Sequence, residues 1–335
     1  MFDELYDSSF LSNTARYGGP LRAYALGRYL FSVPEELKEK EVNVLVYPLV
    51  PENVTESYRT ESFAITEFPW KTQDHEKEFE AAWRSLREEE KNSFAAREYR
   101  AEGYAENLDA SELFGRPAVC IAYDQSFQPA PIKTFIALPQ GIVCFEERRK
   151  YYKTMRGTEL EAPALKIFQA YSWGKSRDDR PDTFYTRLGR LNGYATRNES
   201  PSFWCMDDST KYRLNFWTYA PGPPRPKTGQ SRLQEERAGI TRKTPPGFSM
   251  SNLRTATRTM SDINFVEYID KYKMPNSDTF KLLFCLRSPE YAGTVERPFV
   301  YLEFRAPWVG RERAMLLWNS VLADFHSVSY FLSRM

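Results

Sequence analysis

Histidine is almost missing from this sequence: only His75 and His326 occur in 335 residues. Imidazole is the commonest general base near neutral pH and the commonest metal ligand. Two isolated copies leave little material for either chemistry. Cysteine is scarce as well. Cys120, Cys144, Cys205 and Cys285 are separated by 24, 61 and 80 residues, with no Cys-x-x-Cys pair to grip zinc and too few thiols for a disulfide scaffold. Phosphate-cradling glycines are missing too. Gly18-Gly19 and Gly189–Gly193 lack the strand–turn–helix setting that aims backbone amides at an anion.

Three further absences narrow the class. No apolar run approaches the roughly 18–20 residues that a membrane-spanning helix needs. No repeat at a fixed period marks a solenoid or propeller. Net charge is close to zero, with 46 bases against 45 acids. The opening Met1-Phe2-Asp3-Glu4 is acidic and lacks the basic start and apolar centre of a secretory signal. A reducing intracellular compartment is therefore expected rather than secretion. Neither a cofactor nor a metal site is expected, and no catalytic residue can be named.

What is abundant points elsewhere. Aromatic residues make up 15% of the chain, and arginine outnumbers lysine 30 to 16. Large planar rings bury much area while freezing few torsions, and guanidinium forks pair rigidly with carboxylates. The combination favours a protein with extensive contact surfaces.

Charge is polarised along the chain despite its overall balance. Residues 74–112 carry twelve acids and six bases, whereas 211–260 carry ten bases and two acids. The stretch 220–250 also concentrates Pro221, Pro223, Pro224, Pro226, Pro245 and Pro246 with four glycines, a composition that reads as an extended basic arm.

Elsewhere the pattern predicts an α+β fold, with mixed or antiparallel sheet elements, flanking helices, the long basic insertion and a long C-terminal helix. An extended N-terminal arm is expected at 1–20, an N-terminal lobe at 21–200 and a C-terminal lobe at 201–335 that carries the arm 220–250. Helices are predicted near 21–31, 74–106, 160–171, 261–272 and 311–335, the last placing His326 on an apolar stripe. Strands are predicted at 42–47, 62–68, 118–123, 132–138, 142–145, 203–205, 212–219, 279–286 and 299–304.

The candidate partner-binding residues follow from composition. Trp204, Trp217 and Tyr219 are the aromatic anchors, and Arg225, Lys227, Arg232, Arg237, Arg242 and Lys243 are the cations of the arm. The leading reading is a non-catalytic structural or linker subunit of a large assembly, partnered by other protein subunits. A nucleic-acid- or ribonucleoprotein-binding protein is the first alternative: Arg254 and Arg258 join the arm in meeting phosphates, and Tyr212, Phe216, Trp217 and Tyr219 offer a stacking surface. An enzyme whose site is scattered through the chain is the second. Paired acids at Asp178-Asp179 and Asp207-Asp208 read as solvated turns, and Cys205 as a thiol attachment point or an interface residue.

Overall fold

The computed structural model describes residues 20–48, 60–91, 105–123, 132–149, 162–174, 183–194, 196–219, 247–260, 263–288 and 298–327. These divide into two compact units. The first draws on Met1–Val42, Arg177–Tyr185 and Asn198–Met335, and the second on Asn43–Ser176 and Thr186–Arg197.

The first unit is built on an antiparallel ladder of strands in the order β14-β15-β16-β17-β13-β12. These are β12 (Thr196–Met206), β13 (Arg213–Tyr219), β14 (Ser249–Met260), β15 (Ile263–Lys273), β16 (Phe280–Arg287) and β17 (Phe299–Pro307). Strict alternation sorts their side chains. Leu214, Phe216, Leu302, Phe304, Phe284, Leu286, Phe265 and Ile269 share the inner face and are buried. Two elements close that face: helix α4 (Arg311–Ala323) and the hairpin of β1 (Leu21–Leu26) and β2 (Tyr29–Pro34).

The closure is aromatic. Trp318 of α4 lies 5.7 Å from Phe284, and Phe31 of β2 lies 4.8 Å from Phe216. Phe325 stacks on Tyr29 at 5.1 Å and meets Phe265 edge-on at 5.8 Å. Carboxylates are buried in this unit as well. Glu267 accepts from the Trp318 indole at 2.7 Å and pairs with Arg258 at 2.9 Å and Arg254 at 3.5 Å. Arg28 holds the buried Glu199 through two nitrogens, at 2.7 and 2.9 Å.

The second unit carries the order β3-β4-β8-β7-β6-β5. Its strands are β3 (Lys38–Pro48), which belongs to this unit from Asn43 on, β4 (Thr60–Pro69), β5 (Ala105–Asp109), β6 (Ala118–Tyr123), β7 (Ile132–Leu138) and β8 (Gly141–Arg149). Both faces are covered. Helix α1 (His75–Lys91) lays Phe79 on Ile121, Phe135, Ile142 and Cys144. The opposite face meets α2 (Ser111–Phe114), α3 (Ala162–Ala170), β9 (Tyr171–Trp173) and β11 (Gly189–Leu191), with Phe168 5.4 Å from Phe114 and Tyr171 5.8 Å from Phe145. Glu67 of β4 is buried there and accepts from Tyr171 at 2.7 Å, Thr186 at 2.5 Å and the Leu188 backbone at 2.8 Å. Short strands β10 (Phe184–Tyr185) and β18 (His326–Ser327) complete the described elements.

The α+β expectation is overturned. The described residues are mostly β, every paired strand among them is antiparallel, and only four helices occur. Two predicted helices are strands. Residues 21–31 form the β1–β2 hairpin, because Gly27 takes φ +60° in a two-residue turn that returns the chain. The 261–272 segment is β15 from Ile263: its Ile, Phe and Val fit a helical spacing, but both faces are buried in a ladder between β14 and β16. The long C-terminal helix stops at Ala323, and His326 instead lies on β18 and pairs with Leu30 of β2. Helix α1 does begin where Asp74 predicts, with the Asp74 carboxylate accepting from the Lys77 backbone at 3.2 Å. The arm 1–20, except Pro20, and residues 220–246 lie outside the described residues.

Candidate protein-binding face

The outer face of the first unit's ladder is a lattice fixed by register. One row runs Trp204, Asn215, Glu303, Cys285, Tyr268, and the next runs Ser202, Trp217, Tyr301, Arg287, Val266. Arg213 and Arg305 face each other in the row beyond. Rings and guanidinium groups therefore meet because β12, β13, β16 and β17 pair as they do.

The contacts hold this surface in place. Trp217 stacks on Tyr301 at 5.1 Å, and the Arg287 guanidinium lies 4.6 Å from the centre of the same Tyr301 ring. Arg213 covers Trp204 at 4.5 Å, whose indole donates to Glu41 at 2.9 Å. Glu303 accepts from Asn215 at 2.7 Å, Tyr301 at 2.5 Å and Arg305 at 2.6 Å. Trp217 and Tyr219 still expose 38% and 39% of their surface, which is high for rings of that size. Arg305 is exposed as well.

The chemistry of this face is quiet. Glu303 has its oxygens engaged, so it is poorly placed to take a proton from a substrate. Burial pushes the Cys285 thiol up to about 12, with the neighbouring Glu303 charge acting in the same direction. Burial likewise raises the Tyr301 hydroxyl well above its ordinary value. Neither group is a ready nucleophile. Among the described residues, no group of three or more His, Cys, Asp or Glu side chains is arranged to hold a metal.

Of the residues singled out from sequence, Trp204, Trp217 and Tyr219 lie on this one face. Arg225, Lys227, Arg232, Arg237, Arg242 and Lys243 lie outside the described residues, as do Asp178 and Asp179. The stacking set proposed around β13 divides: Trp217 and Tyr219 face outward, whereas Tyr212 and Phe216 are buried. Arg254 and Arg258 turn to Glu267 rather than standing free for phosphates. Asp207 does occupy a turn, where the Thr210 and Ser209 hydroxyls and backbone hold its carboxyl well below the usual range. Cys205 is wholly buried, and desolvation pushes its thiol up to about 12, which removes it from any interface.

Sequence reasoning missed Arg213, Arg287 and Tyr301. A local signal existed for the first: in 213–219 the odd positions read Arg, Asn, Trp, Tyr and the even ones Leu, Phe, Thr. It also missed a part-exposed group beside the start of α4, where Arg311 lies 5.2 Å from the Trp308 ring centre. There Lys271 lies 4.0 Å from the Phe280 ring centre and 4.2 Å from that of Trp308, beside exposed Met274 and Val309.

No family model matches this chain, and no curated protein matches it by sequence. Solved structures do. The chain superposes on the apo immunity protein TplEi of the T6SS from Pseudomonas aeruginosa with a TM-score of 0.61 at 11% identity, over 92% of this chain and 97% of that one. TplEi complexed with "L" peptide gives 0.59 at 11% identity, over 92% and 98%. A chain of the Tle4–Tli4 complex gives 0.61 at 11%, again over 92% and 98%. At that identity the likeness establishes the fold alone: this chain shares a common fold with these structures.

Proposed function

We propose that this protein is a non-catalytic binding protein of the immunity type, which captures a protein effector on the outer face of its first unit. The observation that carries the reading is the exposed Trp217 and Tyr219 on a lattice of stacked rings and fixed guanidinium groups. Trp, Tyr and Arg are the residue types that dominate interface energetics. Side chains already held by Glu303, Glu41 and Tyr301 lose little further freedom on docking, which lowers the cost of association. The fold shared with an immunity protein and with a chain from a two-protein complex supports the same class.

The narrower reading of a structural linker in a large assembly draws no support from these likenesses. A protein partner is preferred to nucleic acid, because the two described arginines assigned to phosphates are engaged by Glu267. The test is co-expression with candidate protein effectors, followed by size exclusion with light scattering. A stoichiometric complex that survives 0.5 M salt and weakens on Trp217→Ala is expected. A salt-labile complex with strong 260 nm absorbance would replace this reading with the nucleic-acid one.

A further inference from the structure

We propose a second recognition site: the groove between α1 and the β5–β6 end of the second unit binds a cationic side chain, arginine or lysine, presented on a partner peptide. The inference does not rest on the outer face of the first unit. It rests on a cavity of about 660 Å³ whose lining is aromatic and acidic. That volume lies in the range of small-ligand sites and leaves room for residues flanking the cation.

The aromatic part is rigid. The Trp70 indole donates to the Leu138 carbonyl at 2.9 Å and stacks on His75 at 4.5 Å. Trp70 and Trp83 both pack on the core beneath α1. A guanidinium already uses this rim: Arg84 lies 5.4 Å from the Trp83 ring centre while pairing with Glu80 at 3.2 Å.

The acidic part is in surplus. Glu76, Glu80 and Asp109 line the groove, and no lysine or arginine among the described residues does. Glu80 is matched by Arg84, but Glu76 has no hydrogen-bond or ion-pair partner among the described residues. Asp109 is aimed by the Ser111 backbone N–H at 2.9 Å, and bonds from Ser111 hold its carboxyl below the usual range. It therefore stays charged at neutral pH.

These features select one occupant. A purely apolar segment would strip water from Glu76 and Asp109 and give nothing back. An acidic one would be repelled. A guanidinium or ammonium group satisfies both parts, with its face or stem on indole and its N–H groups on the carboxylates.

The test uses the full-length chain and a fluorescein-labelled Gly-Leu-Arg-Leu-Gly peptide, read by anisotropy. Saturable binding is expected, about tenfold weaker when citrulline replaces arginine and about tenfold weaker for the Glu76→Gln/Asp109→Asn double variant. Both carboxylates are exposed, so the double variant should keep the wild-type unfolding midpoint. Trp217→Ala should leave peptide affinity unchanged, which separates this site from the proposed effector face. Equal affinity for the arginine and citrulline peptides, retention of binding by the double variant, or no saturable binding would each overturn the proposal. Self-association that the double variant abolishes would also overturn it, by assigning the groove to a second copy of the chain.

Discussion

The two faces of the first unit's ladder are made by the same strands, one residue out of step, and they do opposite work. The inner face is closed by α4 and the β1–β2 hairpin and holds its phenylalanines fully buried. The outer face also carries aromatic side chains, yet interleaves them with Arg213, Asn215, Arg287, Glu303 and Arg305. Hydrophobicity alone does not separate these faces, because both are rich in rings. What separates them is cover: α4 and the β1–β2 hairpin close the inner rings, whereas Trp217 and Tyr219 on the outer face stay part-exposed. Covered rings exclude water and stabilise the fold, whereas part-exposed rings held by a neighbouring ring and by tethered charges are available to a partner.

Substitutions on the two faces should therefore differ in kind as well as size. Trp318→Ala should have the largest effect, about 3–5 kcal/mol of unfolding free energy by urea titration. It opens a cavity against Phe284 and removes the indole N–H from the buried Glu267. Trp217→Ala should cost the fold less than about 1 kcal/mol, the scale of one ring–ring contact at a half-exposed site. It should cost partner binding about 2 kcal/mol or more, measured by titration calorimetry. If Trp217→Ala unfolded the protein as Trp318→Ala does, the proposed division of labour would fail.

The thiols sharpen the comparison, since Cys205 belongs to the inner face and Cys285 to the outer, yet both are buried and both raised to about 12. Each binds its proton more tightly in the folded state. The stability they contribute is fully present below the ordinary value of 9.0 and is lost as pH rises from there to about 12. Denaturation midpoints should fall across that window. Replacing both cysteines by serine should flatten the fall, and native protein at pH 8 should resist thiol reagents at both positions. The smallest effect belongs to Lys40→Ala, which breaks the exposed pair with Asp208. About 0.5 kcal/mol or less is expected, and 0.5 M salt should erase the difference.

Much of the ladder was legible because strands with β-branched and aromatic alternation announce themselves. The predicted 118–123 and 132–138 coincide with β6 and β7. The start of α1 was legible in Asp74, whose carboxylate has a local task that composition reveals. The segment from Ile263 was not legible, because Ile263, Val266 and Ile269 satisfy a helical spacing. Only pairing with β14 and β16, set by residues before and after it in the chain, decides for strand. The same reason hid half of the candidate face. Trp217 could be noted as an anchor from composition, but its stacking on Tyr301 depends on a register across 84 positions of sequence, Trp217 to Tyr301, that no local pattern encodes.

Strand β14 shows what a single buried carboxylate can do for such a register. Its sequence from Ser249 to Met260 is mostly Ser, Thr, Asn and Arg, with too little apolar alternation to choose which side faces inward. Glu267 sits opposite Ala256, and Arg254 and Arg258 flank that position by two residues on either side, both reaching back to it. Sliding β14 by one residue would turn both guanidinium groups to the opposite side and strand Glu267 without a counter-charge, at about 3–5 kcal/mol. The ion triad therefore acts as an alignment key: it gives a polar edge strand one permitted phase and makes every neighbouring phase costly.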